Sequence, residues 1–165
     1  VKPVTSKALG PTLGMYSHGM VAPGGEIVVV AGQVGMDRSG RLVGPGDVAA
    51  QTRQAFENVR AVLGAAGSAM NRIVRFQTFL THAADIEGFM RARREVFPGY
   101  FPDAVYPPNT ILVVSRLVQP ELLVEIEAMA VNPAAGDGAR RPARPGKAAK
   151  RVRRSGRRQT SRRRG

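Results

Sequence analysis

Residues 122–131 read LLVEIEAMAV, and their strict alternation decides the fold. Successive side chains of a strand point to opposite sides, so Leu122, Val124, Ile126, Ala128 and Ala130 share one face. That face is a core face. The other carries Leu123, Glu125, Glu127, Met129 and Val131, which places two carboxylates among apolar neighbours. Such a face suits either an edge meeting water or the wall of a polar cleft.

Working back from this strand, TILVVSRL at 110–117 is a second β-prone run, separated from it by the Gln119-Pro120 turn. Just ahead lies YPPNTILVV at 106–114. Its prolines cannot donate ladder hydrogen bonds, so Asn109 falls at the rim where the strand begins, with one donor group, one acceptor and no charge. Ile86, Phe89, Met90, Arg93, Val96 and Phe97 recur at i, i+3, i+4, i+7 spacing and predict a helix that ends at Pro98 and Gly99. NRIVRFQTFLTH at 71–82 reads as a strand apolar in part on both sides, with one face covered by the core and the other meeting a partner.

A longer helix is predicted over GDVAAQTRQAFENVRAVLGAAG at 46–67. Asp47 caps it, Gly67 suits its terminus, and Val48, Thr52, Ala55, Phe56, Val59, Val62, Leu63 and Ala66 form the inward stripe. Gln51, Arg53, Glu57 and Arg60 belong to the wet face. Before it, MYSHGMVA and GEIVVVAGQVGMD read as a strand pair joined through APGG, with a further turn at DRSGR. Strands, helix, strand, helix, strands is an α+β order, with both helices on one face of a mixed sheet.

The chain of 165 residues carries a net charge of +13, but the charge is not spread evenly. Residues 1–131 hold 12 Lys and Arg against 11 Asp and Glu, whereas residues 132–165 hold 13 against the single Asp137. The body is nearly neutral. All the basic character lies in a tail rich in Pro, Gly, Ala and Arg, which has too little apolar surface to offset its ordering entropy and is expected to be disordered. A domain over 1–131 followed by a basic tail over 132–165 is the organisation implied. The tail suits non-specific binding of nucleic acid through counterion release.

With no cysteine there is no disulfide framework, no thiolate nucleophile and no thiolate metal site. No apolar run approaches the roughly 18 to 20 residues that span a bilayer. The first residues, VKPVTSKALGPTLGMY, lack the continuous apolar segment of a secretory signal, so a cytoplasmic protein without membrane attachment is expected. The chain begins at Val1, which leaves room for residues ahead of it. His18 and His82 have no partner at metal-ligand spacing, and no metal or cofactor is expected. Ser17 and His18 are adjacent and point apart, so no triad follows. AGQVG lacks the pattern of a phosphate loop.

Several stretches taken together, YSHG at 16–19, AGQVGMD at 31–37, DVAAQTRQAFENVRAVLGAAG at 47–67, IVRFQTFLTHAADIEGF at 73–89 and ELLVEIEAMAV at 121–131, resemble the Rid family, also called YjgF or L-PSP proteins. The resemblance covers nearly all of the body and none of the tail. It implies a chorismate-mutase-like subunit of the bacillus type, assembled as a homotrimer with small-molecule pockets between subunits. It also implies hydrolysis of reactive enamines and imines to a keto acid and ammonia, without cofactor or metal.

On the family's pattern, Tyr16 lines the cleft, Gly32 offers a backbone amide, and Glu125 orients or activates water, with Glu127 secondary. Ala31 stands where active members often have a serine. Asn109 stands where active deaminases of the family carry an arginine, whose planar fork would bind a substrate carboxylate. Losing that charged pair lowers carboxylate affinity by about 10- to 100-fold or more. Arg116, seven residues on, would face the other way on a regular strand, and Arg75 serves only if its strand faces the cleft. The resemblance therefore implies weakened or redirected deamination at a ligand site. The alternatives are a non-catalytic ligand sensor or scaffold, and a nucleic-acid-associated protein acting through its tail.

Overall fold

A computed structural model describes residues 1–6, 8–12 and 14–134. The expected disorder of the basic tail lies outside the described residues from 135 onward. In chain order the elements are β1 (Lys2–Val4), β2 (Gly19–Val21), β3 (Gly25–Val34), α1 (Val48–Ala65), β4 (Ile73–Leu80), α2 (Ile86–Tyr100), β5 (Asn109–Val113) and β6 (Val124–Pro133). The larger sheet has the order β3-β6-β4-β5. Strand β6 runs antiparallel to both its neighbours, while β4 and β5 are parallel, so the sheet is mixed as expected.

The alternation of residues 122–131 is realised residue by residue. Leu122, Val124, Ile126, Ala128 and Ala130 are all buried. They meet both helices through a cluster centred on Phe56, Phe76 and Phe97, whose ring centroids lie 5.3–6.1 Å apart. Such pairs add about 0.5 to 1.5 kcal/mol each beyond the area they bury. The opposite sheet face is left uncovered by the chain itself: Ile27 and Val29 are 64% and 69% exposed. Strand β6 also continues past the expected boundary at residue 131. Asn132 is buried, and its side-chain amide donates to the Ala66 carbonyl and to Glu26.

Helix α1 starts as predicted, with the Asp47 carboxylate accepting from the amides of Ala49 (2.9 Å) and Ala50 (3.1 Å). It ends where Gly67 takes φ +69 and the Ser68 amide returns to the Leu63 carbonyl at 2.8 Å. Three expectations about it fail. Gln51 is not wet but fully buried: its amide nitrogen donates to the Glu121 carbonyl (3.0 Å) and its oxygen accepts from Leu123 N–H (2.8 Å). The chain leading into β6 has backbone groups that no strand satisfies, and Gln51 supplies the missing partners. Val62 and Ala66 are exposed rather than core, Val62 looking into an open groove beside Val34 and Met36.

Two further differences concern the helix–strand boundaries. Helix α2 passes through Pro98 to Tyr100, because the carbonyl deprived of its donor belongs to exposed Arg94 and the Phe101 amide closes the last turn on Phe97 at 2.8 Å. The strand expected at 15–22 shortens to β2 and pairs with β1, not with β3. Ser17 explains this, since its hydroxyl donates to the Tyr106 carbonyl at 2.6 Å and draws the preceding chain toward the α2–β5 connection.

Candidate ligand site

The C-terminal half of β3 carries one extra residue relative to β6: Val30 registers with Ala128, but Gln33 registers with Ile126. Ala31 and Gly32 form this bulge. It brings the Gly32 backbone against the Glu125 carboxylate so closely that a Cβ on residue 32 would stand 1.7 Å from Glu125 Oε1. Only glycine fits. The Gln33 side-chain amide braces the same turn by donating to the carbonyls of Ala31 (3.1 Å) and Gly32 (3.3 Å).

Burial, and then the neighbouring Glu127, hold the Glu125 carboxyl above its ordinary value. A carboxylate poised in this way, against a backbone that admits no side chain, is suited to taking a proton from water. Ala31 and Glu127 lie on the uncovered sheet face, where they line a hollow of about 120 Å³ with Val29, Arg75, Gln77 and Met129. Arg75 thus does face the same side as Glu125, and its guanidinium donates to the Gln77 side chain.

Asn109 opens β5 as expected, but its side chain turns to the helix-covered face. Its carbonyl oxygen accepts from the buried Thr78 hydroxyl at 3.1 Å. Tyr16 lies near this rim in a half-buried segment, fixed by the Ser17 bond to Tyr106 and by Arg93, which donates to the Met15 carbonyl. Strand parity does not apply to Arg116, because β5 ends at Val113; its guanidinium instead donates to the carbonyls of Leu117 (3.1 Å) and Val118 (3.3 Å).

Within one chain these candidate groups fall in two separate places. Asn109 registers with Phe76, Phe76 with Ala128, and Ala128 is three residues from Glu125 on β6. At about 3.3 Å per residue and about 4.8 Å between strands, the two lie about 10 Å apart along the sheet and about 10 Å across it, on opposite faces. One small molecule cannot touch both in the same chain.

A family model for Endoribonuclease L-PSP proteins matches residues 5–132. A RutC family protein from Pyrococcus horikoshii is 36% identical over 119 residues, which make up 72% of this chain and 87% of that protein. The structure of YyfB from Yersinia pestis, of the Rid protein family, superposes with a TM-score of 0.71 at 29% identity, covering 79% of this chain and 98% of its own. The chain belongs to the Rid/YjgF family. Its mixed sheet with two helices is the chorismate-mutase-like fold of that family. The structure of E. coli TdcF with bound serine also matches, with a TM-score of 0.60 at 28% identity over 81% of this chain and 100% of its own.

Thr78 and Gln51 escape the sequence reading of this Rid protein, for the same reason. Polar residues at core positions look like breaks in a pattern until their partners are known. Arg93 was visible as a cation inside an apolar stripe, a signal strong enough to ask what it binds. Among the described residues no His, Asp and Glu cluster could hold a metal, and no helix is long and apolar enough to cross a membrane.

Proposed function

We propose that this Rid protein binds a small amino-acid-derived or keto-acid-like molecule in a cleft between copies of the chain and slowly hydrolyses its imine or enamine form. The observation that carries the reading is the Glu125 carboxylate lodged against Gly32, with its proton affinity raised by burial. The Tyr16–Asn109 rim of a neighbouring copy completes the site. A homotrimer, closed by the apolar sheet face around Ile27 and Val29, accounts for this arrangement. We place the reaction in the cytoplasm and give it neither metal nor cofactor.

In this reaction Glu125 takes a proton from water as the water oxygen bonds to the imine carbon, and the C=N π pair moves to nitrogen, which receives that proton from Glu125. The carbinolamine then loses its hydroxyl proton to Glu125, which hands it to the amino nitrogen, and ammonia leaves as the C–N bond breaks and C=O forms. Imine and water give keto acid and ammonia. An enamine enters the same path after a proton adds to its carbon. Asn109 offers a neutral amide where a charged fork would hold the carboxylate, so turnover is weak at low substrate concentration.

The test is loss of freshly generated 2-iminopropanoate. Slow hydrolysis that disappears in Glu125→Gln supports the reading; an unchanged rate in that variant overturns it. A rate equal to that of a strong deaminase would refute the role given to Asn109. A non-catalytic sensor is the second reading, favoured by the Thr78 bond that occupies the Asn109 carbonyl. It predicts keto-acid binding with no hydrolysis, even in Asn109→Arg. Charge in residues 132–165 further suggests non-specific nucleic-acid binding, which deletion of residues 135–165, leaving β6 whole, must abolish in a gel-shift assay across salt concentrations.

A further inference from the structure

Arg93 occupies an inward position of α2 where the stripe calls for an aliphatic residue. It is 2% exposed, its Nε has no hydrogen-bond partner, and its guanidinium lies 4.4 Å from the centre of the Phe97 ring. Three exposed arginines are paired with carboxylates: Arg41 with Asp37, Arg53 with Glu95 and Arg60 with Glu57. Arg93 forms no ion pair among the described residues; its neighbours are the Met15 carbonyl, the Met90 sulfur and the phenyl ring. Burying a cation without a counter-ion is costly, and burial accordingly lowers its proton affinity, to a pKa of about 10. That value still leaves it charged at neutral pH.

The position of this charge is specific. Arg93 holds the carbonyl of Met15, directly before Tyr16. The Phe97 ring beneath it stacks on Tyr106 at 5.9 Å, and the Tyr106 carbonyl receives the Ser17 hydroxyl. One guanidinium therefore underlies both strands of chain that frame the rim: the Tyr16 segment and the segment leading to Asn109. A Met or Leu would fill the same space without desolvating a charge, but would neither hold Met15 nor place positive potential beneath the rim.

We infer that Arg93 is a positioning and specificity-determining residue, a buried uncompensated cation that fixes the Tyr16 segment and biases the Asn109 half-site toward anionic ligands. The inference rests on the ligand class proposed above. It assigns the preference for a carboxylate to long-range attraction in a low-dielectric setting, where an unscreened charge acts over several ångströms, rather than to direct contact.

The experiment compares binding of 2-oxobutanoate with that of its neutral analogue 2-oxobutanamide by calorimetry, in the wild-type protein, Arg93→Gln and Arg93→Lys. Gln keeps a donor for the Met15 carbonyl and removes the charge; Lys keeps the charge. The wild type and R93K should prefer the anion, and R93Q should lose that preference by about tenfold with little change for the amide. A preference retained in R93Q overturns the inference and leaves the ligand class standing. A wild type that binds the amide as well as the anion, or neither, overturns the ligand class and the inference with it. If R93Q does not fold, R93K decides: loss of the anion preference at an unchanged melting temperature refutes the role of the charge.

Discussion

The Gly32–Glu125 end of the sheet and the Tyr16–Asn109 rim are built by different means. At the first, register does the work: a bulge in a paired strand sets a backbone against a carboxylate. At the second, the Tyr16 segment lies outside the strands and Asn109 stands at the very start of β5, and single side chains, Ser17, Thr78 and Arg93, tie them down. On the function proposed above, the reactive group sits on the paired strands and ligand selection at a rim held by side chains.

The largest effect is expected from removing the base at the paired-strand end. Glu125→Gln should lower imine hydrolysis by about 10²- to 10⁴-fold. Because its carboxyl sits above the ordinary value, the base form is lost as pH falls through that raised value, so the wild-type rate should drop at higher pH than an exposed glutamate would give. Stability runs the opposite way. A raised folded-state value means a contribution that is full below the unfolded value and lost as pH rises through the folded one, so E125Q should melt slightly higher at pH 7.

Next comes the support of that end. Gln51→Ala leaves the Leu123 amide and the Glu121 carbonyl without partners ahead of Glu125, and should cost about 2 to 4 kcal/mol in urea unfolding. At the rim, Asn109→Arg should lower KM for 2-iminopropanoate by about 10- to 100-fold, at a cost of about 1 kcal/mol in stability because the buried Thr78 hydroxyl loses its acceptor. The smallest effect concerns the loop that carries the rim. Ala104 has φ +52, which suits glycine, so Ala104→Gly should gain about 0.5 to 1 kcal/mol in thermal unfolding, strain relief exceeding the added chain entropy.

How much of this was legible beforehand follows the same division. Alternation over residues 122–131 was enough to identify the central strand, since nothing else in the chain competes with a period of two. The helix carrying Asp47 and Gly67 was equally clear, because caps and periodicity agree. Gln51 was misread because periodicity assigns polar residues to water and cannot foresee backbone groups seventy residues away that need a partner. Pro98 was misread as a stop because its effect depends on whether the deprived carbonyl is exposed. The candidate site was legible only as a set of family positions; their separation into two places depends on register and facing.

That separation gives the most direct test of the central claim, that each working cleft takes Glu125 from one chain and the Tyr16 rim from another. Glu125→Gln and Tyr16→Ala are expressed separately, shown to be inactive and folded, then dissociated and reassembled together. The account predicts that the mixture regains 2-iminopropanoate hydrolysis, up to about a quarter of the wild-type rate, because about one interface in four pairs two intact halves. No recovery in a mixture that has exchanged subunits would contradict it.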